Sequence, residues 1–391
     1  MGHSLQNFRF NDELLISKAD RDLAQRSFPK LFFALDHPAL RDVFKQIDRK
    51  ANQAKSISRT IGCFALGFAI ISLLAFPLEP LIKAIWLEAD QARSIFRAMA
   101  IAGALCGLLA VMFGNFGIWF GKSKRRWLQN RLITERLRQW HAQHLIAHAA
   151  DIIAAIKSPD KTADFIAARD LAFGKFQRSF IGQVGSEYTK FTLRTAAGHS
   201  GQTVINPAGY RSFWIEPEWE KKAARPISAA DKDLLDSIYL AYEETRLLGQ
   251  IQYTNYILSS EGKFWSLPAK QAMILGNVTF GLVMFAFVAN FVALISAIWP
   301  SFPIGQSVLG SVAISFAILA VGVRAVEEGL RPQRELRRME FYAASVQHAR
   351  NSFAAARSQK KKVEAVSQLE RASFEEMIEF LSTNERAKFV L

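Results

Sequence analysis

His141, His144 and His148 recur at spacings of three and four residues, so they share one helical face, and Asp151 extends it. Imidazoles and a carboxylate are the side chains of a zinc site, but binding would require them to converge with a fourth ligand. A solvated or interfacial histidine face is therefore the expectation, and no metal is assigned. No Walker A loop, HExxH, CxxC or GxSxG occurs, and GHSGQT at 198–203 lacks the lysine that would hold a phosphate. With no converging titratable set, no catalytic residue and no cofactor are assigned, and the chain is read as non-enzymatic.

The other candidate chemistry is basic. Lys122, Lys124, Arg125, Arg126 and Arg131 crowd one stretch around Trp127. Such charges can anchor a helix at anionic headgroups, each contributing about 1 kcal/mol. They can also form a ligand-binding cleft between subunits, where arginine forks grip phosphates and Trp127, Trp140 or Tyr342 stack on bases. The residues alone leave both uses open.

These side chains must be carried by membrane helices. Half of the 391 residues are hydrophobic, and that half is concentrated in a few runs. Ala98 to Gly121 carries no charge, and about 20 such residues cross a bilayer as one helix. Further spans are expected at Ile61 to about Leu78, closed by Pro77 and Pro80, at Ala272 to about Trp299, and at Ile304 to Val323. Behind the second span the chain runs without a breaker into a basic amphipathic rod reaching about Ser158. A helix is expected over 163–180, loops with a short hairpin over 190–219, and a long helix from a cap at Ser228 through Tyr256. The first fifty residues contain no signal-peptide core. The fold class is thus an all-α membrane protein with four transmembrane helices in two hairpins and long helical cytosolic extensions. Its parts are N-terminal cytosolic helices (1–60), a first hairpin (61–121), a cytosolic helical domain with an irregular insert (122–270), a second hairpin (271–323) and C-terminal cytosolic helices (324–391).

The 49 Lys and Arg against 35 Asp and Glu give a net charge of +14. The flanks before spans one and three and after spans two and four hold most of the nearby positive charge, so the positive-inside rule puts both termini and the central segment in the cytoplasm. Gly103, Gly107, Gly114, Gly117 and Gly121 give span two a close-packing face, for its own hairpin or for another subunit. Cys63 and Cys106 are expected to be buried structural thiols. Ser307, Ser311 and Ser315 form a stripe on span four, and Asn115 and Asn290 lie in other spans; they either hydrogen-bond between helices or line a pore. TERLRQW from Thr134 and RELRRMEF from Arg334 hint that the two halves are distant copies.

DRKANQAKSISRT at 48–60 and KSKRRWLQNRLITERLRQWHAQ at 122–143, on either side of the first hairpin, resemble the SLATT-type bacterial membrane proteins, and the second half is similar in layout. The resemblance implies a pore-forming effector of phage defence in the bacterial inner membrane. It further implies control by a nucleotide or oligonucleotide made by a nucleotidyltransferase, with the Hailong-type effectors as the nearest kind. The resulting expectation is a homo-oligomer, a tetramer, in the lipid bilayer, opening or closing an ion path when a ligand binds its cytosolic side. The competing expectation is a non-conducting scaffold that tethers a cytosolic partner.

Overall fold

A computed structural model of the chain describes residues 9–85, 89–119, 121–184, 215, 218–299 and 305–385. Among them the regular structure is helical, with no strand. In order the main helices are α1 (Lys18–Ser27), α2 (Pro38–Leu74), α3 (Leu78–Ile85), α4 (Ala89–Trp119), α5 (Gly121–Ala147), α6 (Ala149–Lys157), α7 (Pro159–Ser179), α8 (Lys232–Tyr242), α9 (Leu248–Leu258), α10 (Pro268–Ile298), α11 (Gln306–Leu330), α12 (Pro332–Ala355) and α13 (Gln359–Glu385). The chain divides into two compact units, one of residues 1–53, 125–261 and 336–386, the other of 54–124, 262–335 and 387–391.

Four helices are long and apolar enough to cross a membrane, with mean hydropathies of 1.9, 2.1, 2.4 and 2.0 in chain order. The third of them, α10, bears Phe280, Phe285 and Phe287, which are 69%, 62% and 64% exposed. An exposed apolar surface of that kind is unfavourable in water and suits hydrocarbon. The boundaries differ from the sequence expectation. Pro38, after His37, takes the first position of α2, where its missing N–H costs nothing, and the helix then runs 37 residues across the polar-to-apolar transition. Pro80 does not close the first span, because it lies in the first turn of α3. The basic rod breaks at His148, whose φ of −104° and ψ of 23° separate α5 from α6. Ser228 does cap, but it caps a single 3-10 turn ahead of α8. The expected hairpin at 190–219 lies almost wholly outside the described residues, as do Phe120 and residues 300–304.

In the apolar unit, glycines of α4 and α11 let backbones approach. A Cβ on Gly103 would stand 2.7 Å from that of Ala75, one on Gly107 would stand 2.9 Å from Ser72 Oγ, and one on Gly322 would stand 2.5 Å from Ile70 Cδ1. Two of the five glycines of span two are thus used inside the chain. Gly114 meets open space, and Gly117 and Gly121 carry no described surroundings. Gly103→Val is expected to destabilise the solubilised protein by about 1–3 kcal/mol through overpacking. Gly114→Val should stay within about 0.5 kcal/mol. Paired thermal melts in one detergent check the contrast. Rings extend the packing, with Phe113 stacked on Phe64 and Phe68 at 5.6 and 5.7 Å and Phe285 on Phe316 at 5.5 Å. The thiols depart from expectation: Cys63 is exposed and Cys106 only half-buried, and neither is in a disulfide. Both lie on apolar helices, where a small side chain can face lipid as readily as protein.

The other unit has a continuous apolar core, including Leu35, Ile146, Ile152, Ile238, Tyr242, Val346, Phe353 and Val366. Its central helix is α5, whose Leu128, Leu132, Leu137, Thr134, Arg136 and Gln143 are all buried. A helix covered on every side needs no single apolar stripe, so its buried polar residues must find partners within the unit.

A charge-lined candidate ligand cavity

Those partners surround a cavity of about 460 Å3 within the helical unit, well inside the size range of small-molecule sites. Its arginines come from three places: Arg131 and Arg138 from α5, Arg246 from the link between α8 and α9, and Arg338 from α12. Facing them are Asp12, Glu13, Glu135 and Glu376, with the phenols Tyr253, Tyr256 and Tyr342.

Arg246 is the deepest cation, 3% exposed. The link that carries it, Glu243–Leu247, is a π-helical turn, a geometry found disproportionately at functional sites. Thr245 steadies the turn by donating to the Ala241 carbonyl at 2.7 Å. Arg246 donates from Nε and Nη2 to the two oxygens of Glu370 at 3.0 and 3.3 Å, and from Nη1 to Glu13 Oε2 at 2.6 Å. Glu370 is fully buried and also accepts from the Tyr242 hydroxyl at 3.2 Å. Arg138 is shared by Glu135 at 3.0 Å and by Asp12 and Glu13, each at 3.2 Å. Arg131 reaches Glu135 at 2.7 Å, and Arg338 lies over the Phe380 ring at 4.8 Å with Nε 3.4 Å from Glu376. Tyr342 bridges Gln250 and Ser373 at 2.8 and 2.9 Å.

Burial and pairing pull the titrations apart. Burial pushes the Glu13 carboxyl up even though Arg246 and Arg138 oppose it. Burial acts the same way on Glu135, but there Arg131 and Arg138 win and hold it below its ordinary value. The Tyr342 phenol is pushed up by burial. It stays protonated at neutral pH and can donate. Four arginines against four lining carboxylates leave the cavity close to neutral, so an entering anion must displace a carboxylate from an arginine.

Of the predicted basic cluster, only Arg131 joins this cavity. Arg125 and Arg126 are exposed on α5, and the surroundings of Lys122 lie outside the described residues. Lys124 belongs to the apolar unit. Trp127 is 5% exposed, edge-on to Phe380 at 5.7 Å, and Trp140 is 2% exposed. Neither indole presents a face on which a base can stack. Tyr342 is buried too, but its hydroxyl faces the cavity network. The histidines build aromatic core: His144 stacks on Trp140 at 4.7 Å and lies 4.3 Å from the His148 ring, while His148 Nδ1 meets Asp151 at 2.7 Å. No metal-ligand cluster occurs among the described residues. On α11, Ser311 donates to the Ser307 carbonyl at 2.7 Å and Ser315 to that of Ser311 at 2.8 Å, so neither hydroxyl needs water. Asn115 and Asn290 are exposed on the apolar unit.

Arg138, Arg246 and Glu13 carry the cavity and were missed in the sequence. One signal was available for Arg138, because Glu135 and Arg138 recur as Glu335 and Arg338 in the two similar stretches, and both arginines line the cavity.

Four apolar helices and a separate all-α unit define a multi-pass membrane protein with a ligand-sized internal site. Comparison with protein-family models, curated proteins and solved structures brings no match.

Proposed function

We propose that the chain is an oligomeric inner-membrane effector of bacterial phage defence, of the SLATT type, in which the apolar helices of several subunits, four in a tetramer, enclose an ion path. The helical unit faces the cytoplasm and governs that path by binding a nucleotide or oligonucleotide made by a nucleotidyltransferase. One observation carries the proposal: the arginine-lined cavity takes walls from α5 and α12, the helices that follow the second and fourth apolar helices in the chain. A ligand that repacks this cavity therefore acts on segments that lead directly into the spans. Arginine forks suit phosphate, and the tyrosine rings offer surfaces for a base. Among the described residues the apolar runs carry no buried charged pathway, which favours a gate that opens by wetting an apolar constriction.

Purified protein in liposomes is expected to change its ion flux when nucleotides or short oligonucleotides are added on the side of the helical unit. Arg131→Ala and Arg338→Ala should each raise the half-maximal concentration by roughly tenfold to a hundredfold, the loss of one charged hydrogen bond. Absence of flux under every nucleotide tried sinks the proposal. A non-conducting scaffold is the second reading, and its supporting observation is Phe341, 79% exposed on α12. It predicts no flux and loss of a bound partner on Phe341→Ser.

A further inference from the structure

Two of the four carboxylates lining the cavity do not come from its helical walls. Asp12 and Glu13 enter from an irregular segment ahead of α1, and together they take up Arg138 and Arg246 at 2.6–3.2 Å. Phe10, Leu14 and Leu15, at 5%, 2% and 0% exposure, hold this segment in the core. The turn is tied at its two ends: Asn11 N–H donates to Asp20 Oδ1 at 2.9 Å, Leu14 N–H to Asp12 Oδ1 at 2.8 Å and Leu15 N–H to the Asp12 carbonyl at 3.1 Å, and Arg21 Nη1 donates to the Leu15 and Ile16 carbonyls at 3.4 and 3.1 Å. Leu15 has a φ of +53°, a conformation costing a leucine about 1–2 kcal/mol that persists only where the surroundings impose it.

Without these two carboxylates the network would still be intact in part. Arg246 keeps Glu370 and Arg138 keeps Glu135. Both arginines would then have donors turned toward an open cavity, in the fork geometry that suits a multivalent oxyanion. We infer that the 11–13 turn is an internal stand-in for a phosphate-rich ligand, occupying Arg138 and Arg246 until such a ligand displaces Asp12 and Glu13. This rests on the proposed role of the cavity as the ligand site. The apolar anchors stay in place, so displacement amounts to a swing of the turn between Phe10 and Leu14 rather than release of the whole segment.

The stand-in scales the apparent affinity by the fraction of molecules in which it is not seated. The full-length D12N/E13Q protein should therefore bind inorganic triphosphate roughly tenfold more tightly than the parent, measured by calorimetry in detergent at low salt. Asp12→Asn retains the side-chain oxygen that holds the turn, and Glu13→Gln preserves the shape of the side chain, so both substitutions spare the fold. A second measurement uses the unaltered protein. Saturating triphosphate should speed amide exchange in a peptide covering residues 11–15, and sulfate at equal ionic strength should not. Equal affinity in parent and variant, or exchange that does not change, overturns the stand-in while leaving the cavity as a ligand site. No triphosphate binding in either protein removes both the site and the stand-in.

Discussion

Replacing Arg246 by Met should cost about 3–5 kcal/mol of stability in the helical unit, the largest single loss expected from any one substitution in the cavity. The size follows from what is left behind. Glu370, with no exposure, and Glu13, with 8%, lose the guanidinium they share, and a buried carboxylate without its counter-charge must either bear desolvation or take up a proton. Burial already pushes Glu13 upward with the arginine present. The loss therefore measures broken pairing and not the net worth of the ion pair. Changing all three partners, as R246M/E13Q/E370Q, should return much of it, since glutamine at 370 keeps an acceptor for the Tyr242 hydroxyl. Denaturant unfolding followed by tryptophan fluorescence checks both, since Trp140 and Trp219 are buried in this unit. A single R246M variant within about 1 kcal/mol of the parent would mean that the cavity is wet enough to solvate the orphaned carboxylates.

The same network marks the limit of what the sequence displays. The four apolar helices are legible because hydrocarbon imposes a local rule: a run of about 20 apolar residues is a span wherever it falls. Their ends follow from particular contacts, and there the expectation fails. Pro80 looks like a terminator yet suits the first turn of α3, and α2 draws its start from Pro38, far outside the apolar run. The centre of the cavity is not legible, because Arg246 meets Glu13 across 233 residues and Glu370 across 124. In the sequence it is a lone arginine beside two leucines. The cluster from Lys122 to Arg126 attracts attention through local charge density, but adjacent like charges on a helix stay apart from one another and favour solvent. A buried site collects single charges from distant segments and matches each with a partner. Trp127 shows the same contrast: its neighbours in sequence are basic, whereas its neighbour in space is Phe380.

The helical unit should also be acid-labile, through two imidazoles that fold uncharged. His37 and His141 are 2% and 8% exposed. Burial, with the Arg169 guanidinium and neighbouring imidazoles, pushes His37 down to about 2 and His141 down to about 3. His37 Nε2 does lie 3.8 Å from Asp170, but that carboxylate is half exposed and shared with Arg169 at 3.2 Å, so it offsets little of the burial. In the unfolded chain both imidazoles take a proton near 6.5. Stability is complete above that pH and falls as the pH drops from 6.5 toward 3, because the unfolded state binds protons that the folded state refuses. At pH 5 the loss is about 2 kcal/mol per imidazole, or about 4 kcal/mol together. Glu13, pushed up by burial, acts with the opposite sign in the lower part of this range, so the imidazoles need their own control. His37→Phe and His141→Phe variants should each flatten the loss between pH 7 and 5 by about half, whatever their effect at neutral pH. If the doubly substituted protein loses as much stability over that interval as the parent, the acid response belongs to other groups, and the imidazoles are reached by water in the folded unit.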